Sequence, residues 1–132
     1  MAIALLFGPM PRFHHVNLGV PPDAKAAEAT FLIEVLGYRQ VDPGERLTAM
    51  GANWFEGEDG AQVHLSADPD HHPSARAHVA VELGDDLPTI EQRLSEGGYD
   101  VRRVGGDADL RVVFCRDPAG NQWELRGPQP VS

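Results

Sequence analysis

"GAQVHL" (residues 60–65) and "GNQWEL" (residues 120–125) are the stretches on which the reading of this chain turns. They lie sixty residues apart, with Gly, Gln and the closing Leu in register, but His64 of the first copy stands where the second has Glu124. Two further pairs keep nearly that spacing. "HVNLGV" (15–20) matches "HVAVEL" (78–83) at sixty-three, and "LGY" (36–38) matches "GGY" (97–99) at sixty-one. One short match means little. Three, in the same order and at a nearly constant offset, are what two divergent copies of one module leave behind.

Each copy follows one plan. An alternating strand (about 13–20 and 76–83) leads into an amphipathic helix. The first helix is expected to be capped by Asp23, to carry an apolar stripe of Ala27, Phe31 and Val35, and to stop at Gly37. The second is expected to be capped by Asp86, with Pro88 in its first turn, a stripe of Leu87, Ile90 and Leu94, and a stop at Gly97-Gly98. Three strands then follow, near 38–42, 46–55 and 61–66 in the first copy and near 100–104, 110–116 and 121–126 in the second, divided by "EGEDG" and "DPAG" turns. The fold class is therefore α+β: two tandem βαβββ modules, 12–68 and 76–127, joined by a linker at 69–75.

Composition narrows the function. The 132 residues, 42% apolar and 23% charged, suit one soluble domain. No apolar run reaches membrane-spanning length. The start "MAIALLFGPMPR" has no basic leader and no small-residue cleavage site, so an extra strand or a dimer-contact arm is expected there. One cysteine, Cys115, forms no intramolecular disulfide, which suits the cytoplasm. A net charge of −9 argues against nucleic acid and favours a cationic ligand.

Side chains alternate across a strand, so the faces can be read separately. Val16, Leu18 and Val20 oppose His15 and Asn17; Val63 and Leu65 oppose Gln62, His64 and Ser66. In the second copy Val79, Val81 and Leu83 oppose His78, Ala80 and Glu82, and Trp123 and Leu125 oppose Gln122, Glu124 and Arg126. If each helix covers the apolar face, the other face gathers His15, His64, His78 and Glu124. A solvated face is the plain alternative, but such faces carry Lys, Glu and Thr rather than half of a chain's 6 histidines. Histidine with a carboxylate suits a divalent ion such as Zn, Ni, Mn or Fe(II). Gln62, Gln122 and Asn17 are candidates to orient ligands or substrate.

"HHVNLGV", "FLIEVLGYRQV" and "DPAGNQWEL" resemble the vicinal oxygen chelate superfamily of glyoxalase I, extradiol dioxygenases, fosfomycin-resistance, methylmalonyl-CoA epimerase and bleomycin-resistance proteins. The resemblance covers about 12–127 and implies a cupped sheet with a divalent metal inside. By position it implies His15, His78 and Glu124 as metal ligands, with His64 as a fourth ligand or a general base. Glyoxalase I has glutamate at the His64 position, which argues against that activity. The fosfomycin-resistance proteins' potassium-binding loop and basic clamp have no counterpart, and nothing indicates the extra acid–base residues of ring-cleaving dioxygenases.

The expected activity is a metal-dependent, glyoxalase-like lyase, isomerase or epimerase, with a dioxygenase less favoured, in a homodimer. Glu124 or His64 would move the proton. Asn17, Met50, Asn53, Phe55, Gln62, Gln122 and Arg126 would line the substrate cup. The alternative is a non-catalytic, drug-binding protein of the bleomycin-resistance type. His14 is read as structural, His71 and His72 as solvated linker residues, and Cys115 as packing.

Overall fold

The computed structural model describes residues 8–104 and 111–128. Eight strands form two four-stranded mixed sheets. The first module contributes β1 (His15–Val20), α1 (Lys25–Thr30), β2 (Arg39–Val41), α2 (Glu45–Ala49), β3 (Asn53–Glu56) and β4 (Gln62–Ala67). The second contributes β5 (His78–Glu82), α3 (Leu87–Glu96), β6 (Val101–Arg103), β7 (Val112–Arg116) and β8 (Gln122–Arg126). The strand orders are β1-β4-β3-β2 and β5-β8-β7-β6, so the modules share one topology. In each, the opening strand lies parallel to the closing strand and the others run antiparallel.

The registers carry the duplication to single residues. His15 is opposite Gln62 and Asn17 opposite His64; His78 is opposite Gln122 and Ala80 opposite Glu124. The recurring glycine has a conformational cause. Gly60 and Gly120 both adopt positive φ, 88° and 84°, where an L side chain is strained. The turns match bond for bond: Gly57 N donates to Ala61 O, and Asp117 N donates to Asn121 O.

Four local expectations fail. Residues 46–55 do not form one strand. Asp42 Oδ1 accepts from Gly44 N, and α2 follows with Glu45 in its first turn; Gly51, at φ 83°, then breaks it before β3 begins at Asn53. The first helix is not capped by Asp23, which sits in a 3-10 turn. After Thr30 the helix widens into a π turn (Phe31–Leu36) that Gly37 ends in the left-handed region. This changes its stripe: Ala27 is exposed, and Glu28, Phe31, Leu32, Val35 and Leu36 are buried. Asp86 likewise makes no side-chain cap, but Leu87, Ile90 and Leu94 are buried as the pattern requires. Residues 1–7 and Leu110, where the arm and one edge of a strand are expected, lie outside the described residues.

Both modules feed one core. Val20, Phe55, Val63 and Leu65 of the first join Leu94, Val113, Trp123 and Leu125 of the second in a single buried cluster. Across the module boundary, the Phe31 ring lies 5.3 Å from Tyr99 and 5.8 Å from Trp123. Glu28, with no exposed surface, reaches the β7–β8 turn, where its Oε1 accepts from Ala119 N at 3.2 Å. Burial, reinforced by the neighbouring Asp117, raises the Glu28 pKa from 4.5 to about 10, so its carboxyl is neutral in the folded protein. Asp117 already accepts from Ala119 N, Asn121 N and Trp123 Nε1. No helix among the described residues is long and apolar enough to cross a membrane.

Candidate metal centre

Strand alternation places the histidines as the sequence suggested. The odd-numbered positions His15 and Asn17 are exposed on β1 while Val20 is buried, and Val63 and Leu65 enter the core from β4. On the opposite face of the first sheet the rings form a column. His15 stacks on His64 at 4.0 Å and 15°, and His64 stacks on Trp54 at 4.1 Å and 3°. Register explains the second contact, because Trp54 is the cross-strand partner of His64.

Hydrogen bonds assign the ring nitrogens. His14 Nδ1 and His15 Nδ1 are 2.8 Å apart, so one donates to the other, and His15 Nε2 has no partner among the described residues. His14 is thus a contact of a candidate ligand rather than a residue turned away from the face. His64 Nε2 lies 2.8 Å from Gln62 Oε1, a bond in which only the imidazole can donate, which leaves Nδ1 as its acceptor. Burial, followed by the nearby His15 and His14, lowers the His64 pKa below 6.5, so the ring is neutral at pH 7.

The second sheet presents different chemistry. His78 Nδ1 donates to Arg76 O at 2.9 Å, and this directs Nε2 to within 3.3 Å of Glu124 Oε1. Arg126 Nη1 donates to the other carboxylate oxygen at 2.7 Å. A histidine whose second nitrogen is fixed by a carbonyl, beside an oriented carboxylate, is a common arrangement for holding a metal. Phe114, the cross-strand partner of Glu124, packs edge-on to His78 at 5.4 Å.

The four candidate ligands therefore fall into two pairs, His15 with His64 and His78 with Glu124. Among the described residues no group of three or more His, Cys, Asp or Glu is placed to hold a metal. Each sheet gives its apolar side chains to the shared core and carries its candidate pair on the opposite face of its own strands. A cleft of about 1240 Å³ takes its lining from both modules, with Val16, Val63, Val79, Val81 and Ile90 beside Gln62, His78 and Glu82.

The expected substrate residues divide similarly. Gln62, Gln122 and Arg126 share the faces of the ligand pairs, and Asn17 does so with its Oδ1 accepting from Ser66 Oγ at 2.9 Å. Phe55 does not line a cup: it is fully buried in the core, and Asn53 shares its side of β3 opposite Leu65. Met50 is 75% exposed at the C-terminal end of α2. With α2 in place of a long strand, the phase of 53–56 follows from its pairing with β4. Trp54, not Phe55, meets His64.

Trp54 and Phe114 were the residues missed. The signal was present in the sixty-residue offset, which relates Trp54 to Phe114 just as it relates His64 to Glu124. Fixing the face of one strand would have fixed the other.

A glyoxalase-like domain model matches residues 17–126. A protein assigned to the glyoxalase family from Bacillus anthracis has a similar solved structure, with TM-score 0.78 and 22% identity over 91% of this chain and 97% of that one. A glyoxalase/dioxygenase from Nostoc punctiforme gives TM-score 0.77 and 23% identity over 95% of each chain. A point mutant of the fosfomycin resistance protein FosX from Listeria monocytogenes, complexed with Mn(II) and a dihydroxypropylphosphonic acid, gives TM-score 0.71 and 13% identity, covering 89% of this chain and 92% of that one. No curated protein matches the chain.

Proposed function

This chain belongs to the glyoxalase-like domain family, within the vicinal oxygen chelate superfamily, and from that premise we propose a divalent-metal-dependent lyase or isomerase acting on a small substrate with two adjacent oxygens. The observation that carries the reading is the matched placement of the two pairs. Each module offers a histidine from its opening strand and a second donor from its closing strand. The donor set fits a borderline divalent ion: His15 Nε2 has no partner among the described residues, and His78 Nε2 and Glu124 Oε1 face each other at 3.3 Å. FosX, a structural neighbour, is complexed with Mn(II) in its solved structure.

We infer further that two copies complete the site, the first-module face of one chain meeting the second-module face of the other. Among the described residues of one chain the two pairs form no group of three or more donors, so a second copy would complete the set. Strands β1 and β5 stand at free sheet edges, and Met10 and Phe13, leading into β1, are 64% and 70% exposed. Edges and apolar side chains of this kind favour pairing with a second copy.

In such a site His15, His78 and Glu124 would hold the metal, which would supply Lewis acidity toward charge developing on the substrate oxygens. His64, neutral and hydrogen-bonded through Nε2 to Gln62, would accept a substrate proton at Nδ1. The flat Trp54 face holds the His64 ring plane in place. Asn17, Gln122 and Arg126 would orient substrate beside it.

The test is metal titration of metal-free protein with Mn(II), Ni(II), Zn(II) and Fe(II). One ion per chain is expected, with a thermal shift on the order of 10 °C when the metal stands at about 100 times its Kd. His78→Ala should abolish both. No uptake and no shift with any of the four would contradict the reading and favour a non-catalytic binding protein.

A further inference from the structure

The chain carries a net charge of −9, yet one patch of the second sheet runs against that balance. Its polar face holds a pocket of about 290 Å³ lined by Arg102, Phe114, Arg116 and Gln122, with Asp100, Val101 and Cys115 completing it. Arg102 and Phe114 are cross-strand partners, as are Arg116 and Gln122, so the four side chains rise from the same side of β6, β7 and β8. The pocket adjoins the candidate metal pair directly: Phe114 packs against His78, and Gln122 is opposite His78.

Among the described residues, neither Arg102 nor Arg116 forms an ion pair with a carboxylate. The neighbouring arginines on these strands do: Arg103 pairs with Glu91, and Arg126 with Glu124. Arg102 instead lies over the Phe114 ring at 5.0 Å. Arg116 is fixed by two backbone carbonyls, donating from Nη1 to Ser74 O at 3.2 Å and to Gly120 O at 2.9 Å. Both guanidiniums are thus oriented by neutral groups, and the one carboxylate among the residues lining the pocket is the exposed Asp100. A guanidinium placed over a ring, with a second tethered in the same pocket, is a fork suited to a carboxylate or phosphate group.

We propose that this pocket binds an oxyanion, and that it receives the anionic end of the substrate whose adjacent oxygens reach the His78–Glu124 pair. The substrate class is then a small organic acid rather than a cation. The link to the substrate rests on the metalloenzyme reading; the anion site itself does not, because its residues are distinct from the four candidate ligands.

The experiment uses the full chain, freed of metal, so that failure of metal binding and failure of the anion site are separate results. Benzoate and inorganic phosphate are titrated while backbone amide chemical shifts are followed, with benzylammonium as a cation of similar size. Saturable shifts confined to residues around 100–102, 114–116 and 122 are expected with the anions and not with benzylammonium. Arg102→Gln and Arg116→Gln should each weaken benzoate about tenfold or more, the scale of one charge-assisted hydrogen bond. Arg39→Gln, on the other sheet, should leave it unchanged. Arg102 is exposed, so its variant tests the site even if the Arg116 variant loses its carbonyl bonds and folds poorly. Shifts with benzylammonium but not benzoate, or anion shifts that survive Arg102→Gln, would overturn the proposal.

Discussion

The turn before β4 and the turn before β8 share a glycine of nearly equal φ and the equivalent closing hydrogen bond, yet the strands they launch present opposite chemistry. The first module's polar face is aromatic: Trp54, His64 and His15 stack in a column, and the charges beyond them, Arg39 and Glu56, pair with each other. The second module's polar face is charged, with Glu124 between His78 and Arg126, and with Arg102 and Arg116 lacking carboxylate partners among the described residues. Duplication preserved the scaffold positions and let the side chains at those positions diverge. Each face lacks what the other supplies. The first has neutral donors and a flat wall but no carboxylate ligand; the second has a carboxylate and anion-binding arginines but a single histidine.

The largest effect expected from breaking this symmetry concerns the matched glycines. A Cβ at Gly60 meets nothing within 4 Å, while one at Gly120 would lie 2.8 Å from Pro73 Cγ. Gly60→Ala should therefore cost only the left-handed strain, about 1 kcal/mol. Gly120→Ala adds a clash with the linker and should cost about 2–4 kcal/mol in chemical denaturation. Equal costs would mean that Pro73 moves aside freely and that the linker does not brace the second turn.

A smaller, pH-dependent difference follows from the turns' other corner. The first turn has Gly57 where the second has Asp117, and only Asp117 sits beside the buried Glu28 that joins the modules. A carboxyl with a raised folded pKa stabilises fully below its ordinary value and loses that contribution as pH rises toward the folded value, here from 4.5 to about 10. Glu28→Gln removes the ionisation. Its melting temperature should equal the wild type's near pH 5 and exceed it by several degrees at pH 8. A gap that stays constant between those pH values would show that Glu28 does not carry the titration.

Much of the fold could be read from the repeat, because the hydrophobic alternation and the glycine positions are local properties. His15, His64, His78 and Glu124 were found together because four chemically related residues occupy matched strand positions. What escaped was set by tertiary contacts. Residues 45–49 became helical because Gly44 and Gly51 permit sharp reversals on either side, and this moved Phe55 into the core and Trp54 beside His64. Glu28 replaced Ala27 in the buried stripe because the stripe packs against the other module's turn, a partner that no single-helix pattern reveals. The two candidate pairs, one on each sheet, form no group of three or more donors among the described residues.

Subunit mixing tests the central claim, that one site draws on both modules from different chains. His15→Ala and Glu124→Ala are prepared separately, each metal-poor, then unfolded together, refolded and analysed for bound metal. Sites built across two chains give each mixed dimer one intact His15, His78 and Glu124 set, so one ion per mixed dimer is predicted. Sites built within single chains leave every copy lacking a ligand, and no recovery of metal in the mixed dimer would contradict the account.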